Sequence, residues 1–423
     1  MHTVILGNGV SGVTAALKLR QLCPERRITI LSGESTYHWS RPALMYIFMG
    51  HMRYQDTKPF EDSLWGRERL ELVRDWVTAI DTDRRELSLA RGAPLAFDQL
   101  LIATGSTPNK FGWPGQDLDG VQGLWGLQDL STLNASVKRA RRAVIVGGGL
   151  IGIELAEMLQ SVGIGVTMLV RESSYWANIL PLEESLLVNR EILCHGIGLR
   201  LSTELEAVLD DGEGRARGVR TTAGEEIACE IVGLTAGVSP NLSALAGSGI
   251  ETGRGVLVDN RLRTSVPGIF AAGDCAEIRT QSSGKNTIQQ VWYTGKRQGE
   301  FVAQSMAGEA TGDYETGLWF NSAKFLDLEY QTYGSVGLDV PGERNLYWQH
   351  ESGKHALRIV YTREGVIGFD TLGQRWRHSV SERWILDRTP LRDVLANLEE
   401  AHFEPEFFRR HEADMRRSFE SAL

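Results

Sequence analysis

The stretch TVILGNGVSGVTAALKLRQL, residues 3–22, decides the fold of the N-terminal part of the chain. An apolar run leads into Gly7, Gly9 and Gly12, which form a GxGxxG pattern, and an alanine- and leucine-rich helical pattern follows. Gly7 permits a tight turn, Gly9 lets the backbone approach a pyrophosphate, and Gly12 lets the helix pack closely on the strand. The helix N-terminus presents free N–H groups to the phosphates. The stretch predicts a strand–turn–helix unit that binds a dinucleotide.

A carboxylate stands where such a unit places the group that binds the ribose. The strand predicted over residues 27–31 is followed by Glu34, which lies 22 residues beyond Gly12. At about that spacing an acidic side chain accepts a hydrogen bond from a ribose hydroxyl. The alternative interpretation is a glycine turn in an unrelated α/β domain. Because the strand, the helix and the acid occur together, we expect a dinucleotide here.

The same pattern returns 140 residues later in RRAVIVGGGLIGIELAEML, residues 141–159. Gly147, Gly149 and Gly152 repeat the glycine spacing, and Glu172 follows the next predicted strand as the second acid. Each unit is therefore predicted to be a βαβ fold. Two such units in one chain imply two dinucleotides, normally a bound flavin and a nicotinamide.

Three further apolar segments end in polar or small residues. Residues 100–108, LLIATGSTP, contain an ATG motif, residues 266–277, VPGIFAAGDCAE, contain Gly-Asp, and residues 234–241 read LTAGVSPN. The order of these motifs resembles the FAD-dependent pyridine-nucleotide oxidoreductases of the glutathione-reductase-like superfamily, over roughly residues 1–310. In that superfamily a nicotinamide domain is inserted into the flavin domain. The resemblance implies FAD and NAD(P)H as cofactors.

The resemblance also implies a set of binding residues for each cofactor. For FAD it implies Gly7, Gly9, Val10, Ser11, Gly12, Glu34, Val77, Ala103, Thr104, Gly105, Gly273 and Asp274. For NAD(P)H it implies Gly149, Leu150, Ile151, Gly152, Arg171, Glu172 and Gly237. Glu172 favours NADH, because it accepts a hydrogen bond from the 2′-OH and repels a 2′-phosphate, whereas Arg171 could hold that phosphate. We expect NADH to be preferred.

The stretch TYHWSRPALMY, residues 36–46, contains no cysteine. Disulfide reductases of the superfamily carry their redox-active cysteines in this region, so a thiol relay is not expected. The stretch instead resembles the branch of ferredoxin, rubredoxin and nitrite reductases, in which Arg41 and Pro42 would contact FAD. Tyr46 stands where that branch has a lysine near the flavin ring. The alternatives are a surface salt bridge for Arg41 and core packing for Tyr46.

Further candidates for the flavin pocket and the reacting centre lie outside the glycine motifs. Val291 and Trp292 begin a predicted helix that, by the same resemblance, contributes to the flavin pocket. Glu154 lies two residues after the last glycine of the second motif, and its family equivalent approaches the nicotinamide and the flavin. The alternative for Glu154 is a solvated helix carboxylate. We expect Glu154, Tyr46 and Trp292 to act at the redox centre.

Composition limits the other possibilities. The net charge of -9 argues against a general nucleic-acid binder. The sequence contains no run of 18 apolar residues, so no membrane span is expected. The sequence enters a strand at once, so no secretory signal is expected. Four cysteines without a CxxC pair predict no zinc or iron–sulfur site and fit a reducing compartment. We expect a cytoplasmic protein without a bound metal.

The predicted fold class is α/β, with two Rossmann-like dinucleotide-binding domains and an α+β C-terminal domain. The flavin domain is predicted over residues 1–110 and 246–312, the inserted nicotinamide domain over 111–245, and the C-terminal domain, of reductase and interface type, over 313–423. In the last domain we expect two strands around Glu364-Gly365 and two helices. The first would have Thr389 as N-cap and Pro390 as first residue, and the second would occupy residues 404–422.

These observations predict an NAD(P)H-dependent FAD oxidoreductase that passes electrons to a one-electron carrier, such as a ferredoxin, a rubredoxin or another iron–sulfur protein. The protein would be a monomer or a homodimer without a nucleic-acid partner. One alternative is an NAD(P)H oxidase, or a reductase of quinones or other small molecules. A second alternative, from another class, is a redox-controlled binding flavoprotein that resembles apoptosis-inducing factor.

Overall fold

The computed structural model describes residues 1–279, 286–337, 340–403 and 409–420. The chain divides into two compact units, each built from three segments. The first unit comprises residues 1–109, 123–135 and 237–316, and the second comprises residues 110–122, 136–236 and 317–423. None of the described helices is long and apolar enough to cross a membrane.

A five-stranded parallel sheet forms the centre of the first unit. Its strands in spatial order are Ile269–Ala271, Gln99–Ile102, His2–Leu6, Arg27–Leu31 and Leu70–Val73. The central strand is buried from Thr3 to Leu6, as expected for a parallel sheet that is covered on both faces. The strand and the helix predicted over residues 3–22 are confirmed, with the helix over Val10–Leu22.

Short sheets and helices complete the first unit. The sheets pair Val77–Asp81 with Glu86–Leu89 and Leu95–Ala96, Ser106–Pro108 with Val238–Pro240, and Val256–Val258 with Ala276–Ile278 and Thr287–Ile288. The further helices are Leu44–Phe48, Ser63–Arg67, Leu127–Ser136 and Trp292–Ala307, with 3-10 turns at Arg41–Ala43, Tyr54–Thr57 and Ser243–Leu245.

The second unit contains a second five-stranded parallel sheet. Its strands in spatial order are Gly198–Arg200, Gly165–Leu169, Arg142–Val146, Ile231–Leu234 and Val121–Gln122. The helices Leu150–Ser161 and Leu182–Cys194 accompany it. A three-stranded antiparallel sheet follows, made of Leu205–Asp210, Ala216–Thr221 and Glu226–Ala228. The second predicted βαβ unit is present as the strand Arg142–Val146, the helix Leu150–Ser161 and the parallel strand Gly165–Leu169.

An antiparallel sheet with helices forms the C-terminal part of the second unit. Its strands in spatial order are Phe320–Phe325, Leu328–Gly334, Val366–Leu372, Ala356–Tyr361 and Arg344–Gln349. The helices are His378–Leu386, Leu391–Ala396 and Glu412–Glu420, with a 3-10 turn at Leu398–Ala401. Buried Phe369, Trp376 and Trp384 lie in the core between them.

The predictions for this C-terminal part are confirmed in part. The two strands around Glu364-Gly365 are present. The prediction of Thr389 as N-cap is wrong by one position, because Pro390 has extended backbone angles and the helix starts at Leu391. The last helix starts only at Glu412. Of its predicted span, residues 404–408 and 421–422 lie outside the described part of the chain.

Candidate functional site

The first glycine motif forms an open cradle at the start of the helix Val10–Leu22. Gly7 has a φ of +119°, and a Cβ placed there would lie 2.1 Å from the carbonyl oxygen of Ala103. A Cβ at Gly12 would lie 2.1 Å from the carbonyl oxygen of Gly7. A Cβ at Gly9 would meet nothing within 4 Å. The first and third glycines are therefore required by packing, whereas the middle one faces space that a pyrophosphate could fill.

Ser11 joins this cradle to the helix Trp292–Ala307. Its hydroxyl donates to the carbonyl oxygen of Gly295 at 2.9 Å, and a Cβ at Gly273 would lie 2.4 Å from its oxygen. The side chain of buried Gln298 accepts a hydrogen bond from the Gly273 N–H at 2.6 Å. The Ser11 side chain thus serves packing, and its backbone remains for a ligand, as does that of Val10 at the helix start.

Asp274 lies half-buried among polar groups of the same unit. The Ser106 hydroxyl donates to its Oδ2 at 3.1 Å and receives a hydrogen bond from Gln290 Nε2 at 2.8 Å. Burial raises the pKa of the Asp274 carboxyl, while the Ser106 bond opposes that shift. Of the neighbouring ATG motif, Thr104 donates to the carbonyl oxygen of Asn241 at 2.7 Å. Gly105 has a φ of +69°, and the position of its missing Cβ faces open space.

The predicted ribose ligand Glu34 is paired with Arg41. Arg41 Nη1 donates to Glu34 Oε1 at 3.1 Å, and Arg41 Nη2 binds Glu34 Oε2. Pro42 is exposed in the same 3-10 turn. Two residues that the sequence did not indicate support this region. Buried Asn8 donates to the Ser35 carbonyl at 2.9 Å, and buried His38 donates from Nδ1 to the Asn8 carbonyl at 2.7 Å.

The remaining candidates of the first unit lie on three other elements. Tyr46 is 39% exposed, so core packing does not account for it, and its ring meets His51 edge-on. Trp292 is 43% exposed at the first position of its helix, directly after half-buried Val291. Val77 begins the strand Val77–Asp81.

The second glycine motif repeats the geometry of the first. Gly147 has a φ of +128°, and a Cβ there would lie 2.5 Å from the carbonyl oxygen of Thr235. A Cβ at Gly152 would lie 2.8 Å from the carbonyl oxygen of Gly147, whereas one at Gly149 would meet nothing within 4 Å. Leu150 and Ile151 are half-buried first residues of the following helix.

A buried tyrosine that the sequence did not indicate holds this second cradle. Tyr175 is fully buried, and its hydroxyl donates to the carbonyl oxygen of Gly149 at 2.7 Å. Asn189 Oδ1 accepts from the Tyr175 N–H at 2.9 Å, and the Ser185 hydroxyl donates to the Tyr175 carbonyl. Burial raises the pKa of the Tyr175 hydroxyl, so it stays a donor at all ordinary pH values. No sequence motif marked it, because it lies in the loop beyond Glu172.

The acid of the second unit also pairs with an arginine. Arg171 Nη2 donates to Glu172 Oε1 at 3.0 Å, with Arg171 71% and Glu172 24% exposed. Gly237, predicted to touch NAD(P)H, belongs to the first unit, where it lies at a φ of +85° beside Asn109. The Asn109 N–H donates to its carbonyl at 3.1 Å.

Glu154 is half-buried in the helix Leu150–Ser161. Burial, followed by the negative charge of Glu157, raises its pKa to about 7. Glu157 itself accepts a hydrogen bond from Lys324 Nζ at 2.9 Å. Glu154 is therefore not a fully solvated helix carboxylate, because its side chain is partly removed from water. A group with such a pKa can hold or release a proton under ordinary conditions.

The four cysteines are free thiols at separate places in the chain. Cys229 and Cys275 are buried, and burial raises the pKa of the Cys229 thiol to about 12. Cys194 is exposed on its helix. Among the described residues, the carboxylate and imidazole groups close enough to share a metal ion are Glu191, His195 and Asp327. Ion pairing of His195 with both acids accounts for that cluster.

Comparison with known proteins assigns the family. The model of the pyridine nucleotide-disulphide oxidoreductase family matches residues 1–299. The chain belongs to this family. The predictions of an oxidoreductase and of this superfamily are thereby confirmed.

Curated relatives resemble the chain over most of its length. The ferredoxin reductase subunit of the 5,5'-dehydrodivanillate O-demethylase of Sphingobium sp. is 29% identical over 93% of this chain and 95% of its own. The ferredoxin–NAD(+) reductase subunit of the benzene 1,2-dioxygenase system of Pseudomonas putida is 30% identical over 73% and 75%. The rubredoxin–NAD(+) reductase of Pseudomonas putida is 28% identical over 74% and 81%. The predicted ferredoxin and rubredoxin reductase branch agrees with all three.

Solved structures share the fold. The ferredoxin reductase of the CYP199A2 system from Rhodopseudomonas palustris has a TM-score of 0.80 at 24% identity, with 88% of this chain and 91% of that chain covered. Putidaredoxin reductase, in its covalent complex with putidaredoxin, has a TM-score of 0.81 at 20% identity, with 100% and 98% covered. The predicted fold class, α/β with two Rossmann-like domains and a C-terminal α+β domain, is confirmed.

Proposed function

We propose that this chain is an FAD-dependent NAD(P)H oxidoreductase that passes electrons to a ferredoxin, a rubredoxin or another iron–sulfur carrier. The observation that carries the proposal is the pair of glycine cradles. Each is closed by its first and third glycines and open at the middle one, and each has an acid after the next strand. The named relatives, which are ferredoxin and rubredoxin reductases, support the choice of acceptor.

The first cradle would hold FAD. The cofactor supplies the ability to accept a hydride and to give up single electrons. The chain supplies the N–H groups at the start of the helix Val10–Leu22 for the pyrophosphate and Glu34 for the ribose. Asp274, with its raised pKa, can accept or donate a hydrogen bond to a hydroxyl of the flavin chain.

The second cradle would hold NAD(P)H by the same means, through the open backbone at Gly149 and the carboxylate of Glu172. Tyr175 fixes the Gly149 peptide, and so prepares the cradle before the nucleotide arrives. Glu154 follows the cradle by one helical turn and titrates near neutral pH. Its role is to set the charge beside the bound nucleotide.

The electrons would leave the flavin without a thiol relay. Residues 36–46 contain no cysteine, and such a relay needs a thiolate of low pKa with a resolving partner. The pKa values of Cys229 and Cys275 are instead raised by burial. We also propose the cytoplasm as the location, because NAD(P)H is available there. The domain limits given above and a monomeric or dimeric state are part of the same proposal.

Three measurements on the purified protein test the proposal. Boiling should release one FAD per chain, and anaerobic mixing with NADH should bleach the flavin absorbance. NADH-dependent reduction of ferricyanide should be fast without a carrier. Reduction of cytochrome c should be fast when a ferredoxin or rubredoxin is added. Fast oxygen consumption without any carrier would instead indicate an oxidase. Slow reduction with a change in oligomeric state would indicate a binding flavoprotein.

A further inference from the structure

A short segment of the chain returns to the first unit between two segments of the second. We call residues 123–135 the strap. It contains all but the last residue of the helix Leu127–Ser136, in which Leu130 and Leu133 are buried. The side chain of Asp129 accepts hydrogen bonds from the N–H groups of Trp125 and Gly126 at 2.8 and 2.9 Å, which fixes the turn before the helix.

The strap is bound to the acid predicted to hold the FAD ribose. The Leu127 N–H donates to Glu34 Oε1 at 3.1 Å, and Gln128 Nε2 donates to the Glu34 carbonyl at 3.2 Å. The two segments approach so closely that a Cβ at Gly126 would lie 2.7 Å from Glu34 Oε1. The strap therefore fixes the position of this carboxylate.

Arg41 contacts both Glu34 and the strap. Its guanidinium lies 5.2 Å from the ring centre of Trp39 and 5.6 Å from that of Trp125. Arg41 Nη1 also donates to the Trp125 carbonyl and to Glu34 Oε1. An arginine held by two aromatic faces, a carboxylate and a carbonyl has little freedom left, and cation–π contacts strengthen as water is excluded.

From this geometry we propose that the strap is a retention device for FAD and that Trp125 is its positioning residue. Glu34 Oε1 accepts two hydrogen bonds from the protein, and Oε2 accepts one, which leaves Oε2 a lone pair for a ribose hydroxyl. Trp125 holds Arg41, and Arg41 holds Glu34 in the orientation that presents this lone pair. The inference rests on the proposed function, since it takes FAD as the occupant of the first cradle.

The test is the rate at which FAD leaves the protein, followed as the rise of free-flavin fluorescence after dilution. Trp125→Ala should raise this dissociation rate about fivefold, because it removes one aromatic face from Arg41. Trp125→Phe, which keeps an aromatic ring, should return the rate to within twofold of wild type. A purely structural role would instead lower the melting temperature of the FAD-free protein and leave the rise in Tm on adding FAD unchanged.

Gly126→Ala gives an independent second variant. Its added methyl group would push the strap away from Glu34 and should likewise raise the dissociation rate at least fivefold. Gly66→Ala is the matched control, since that helix glycine of the first unit has nothing within 4 Å of the added carbon, and its rate should stay at the wild-type value.

The outcomes separate this inference from the proposed function. If wild-type protein binds no FAD, the proposed function fails. If wild-type protein binds FAD and both Trp125→Ala and Gly126→Ala release it within twofold of the wild-type rate, the strap is not a retention device. Should Trp125→Ala fail to fold, the Gly126→Ala and Gly66→Ala pair decides alone.

Discussion

Replacement of Glu154 by glutamine should stabilise the protein at alkaline pH and leave its stability at acid pH unchanged. Burial, followed by the charge of Glu157, raises the pKa of Glu154 from 4.5 to about 7. Since one pKa unit corresponds to about 1.4 kcal/mol, ionised Glu154 costs the folded state about 3 kcal/mol. Glutamine keeps the shape of the side chain and removes the charge.

The sign of the effect follows from where the proton is held. Between pH 4.5 and about 7 the folded protein keeps a proton on Glu154 that the unfolded chain releases. The stability of the wild type therefore falls as pH rises through this window and the penalty is complete above it. The glutamine variant does not lose this stability, so the two proteins diverge from pH 4.5 upward.

Thermal unfolding without added nucleotide measures the difference. For a unit of about 200 residues, 3 kcal/mol corresponds to a rise in Tm of about 6 to 12 °C, expected at pH 8 and absent at pH 4.5. The control Glu213→Gln changes an exposed turn residue and should shift Tm by less than about 1 °C at both pH values. An equal Tm difference at both pH values for Glu154→Gln would refute the assignment of a half-buried, proton-holding carboxyl.

Three further predictions concern other parts of the molecule. Asp370 is 1% exposed, its carboxylate oxygens have no hydrogen-bond partner among the described residues, and burial and then Glu184 raise its pKa. Asp370→Asn should therefore raise Tm at pH 8 and have no effect near pH 4, as seen by thermal unfolding. Tyr175→Phe should weaken NADH binding about fivefold in equilibrium titrations, because the Gly149 carbonyl loses its side-chain donor and keeps only the N–H donors of its own helix; an unchanged Kd would show that Tyr175 does not position the cradle. Replacing all four cysteines by alanine should keep NADH-dependent ferricyanide reduction within a few-fold, and a hundredfold loss with normal FAD content would reveal a thiol relay.

The parts of the fold that backbone geometry requires could be predicted from the sequence. Gly7 and Gly147 have positive φ values and no room for a side chain, so these positions require glycine. The glycines in the sequence therefore predict the tight turns. The acids Glu34 and Glu172 follow the last glycine of their motifs by 22 and 20 residues, which is the spacing that places an acid after the second strand of a βαβ unit.

The supporting residues could not be predicted, because their partners are distant in sequence. The hydrogen bond between Arg41 and the Trp125 carbonyl joins residues 84 positions apart in sequence, and the one between Tyr175 and the Gly149 carbonyl joins residues 26 positions apart. A tryptophan or tyrosine in a loop carries no periodic signal, and its role depends on which carbonyl or cation the fold brings to it. The pairing of Arg41 with Glu34 spans only seven residues, and it was not foreseen for a different reason: both side chains were predicted to bind the cofactor and not each other.

The order of strands in the first sheet has a consequence for synthesis of the chain on the ribosome. The edge strand Ile269–Ala271 pairs with Gln99–Ile102, so the first parallel sheet stays incomplete until residue 271 has emerged. Every strand of the second parallel sheet lies between residues 121 and 234 and emerges earlier. The first unit, although its chain is begun first, is therefore the later of the two to complete its parallel sheet.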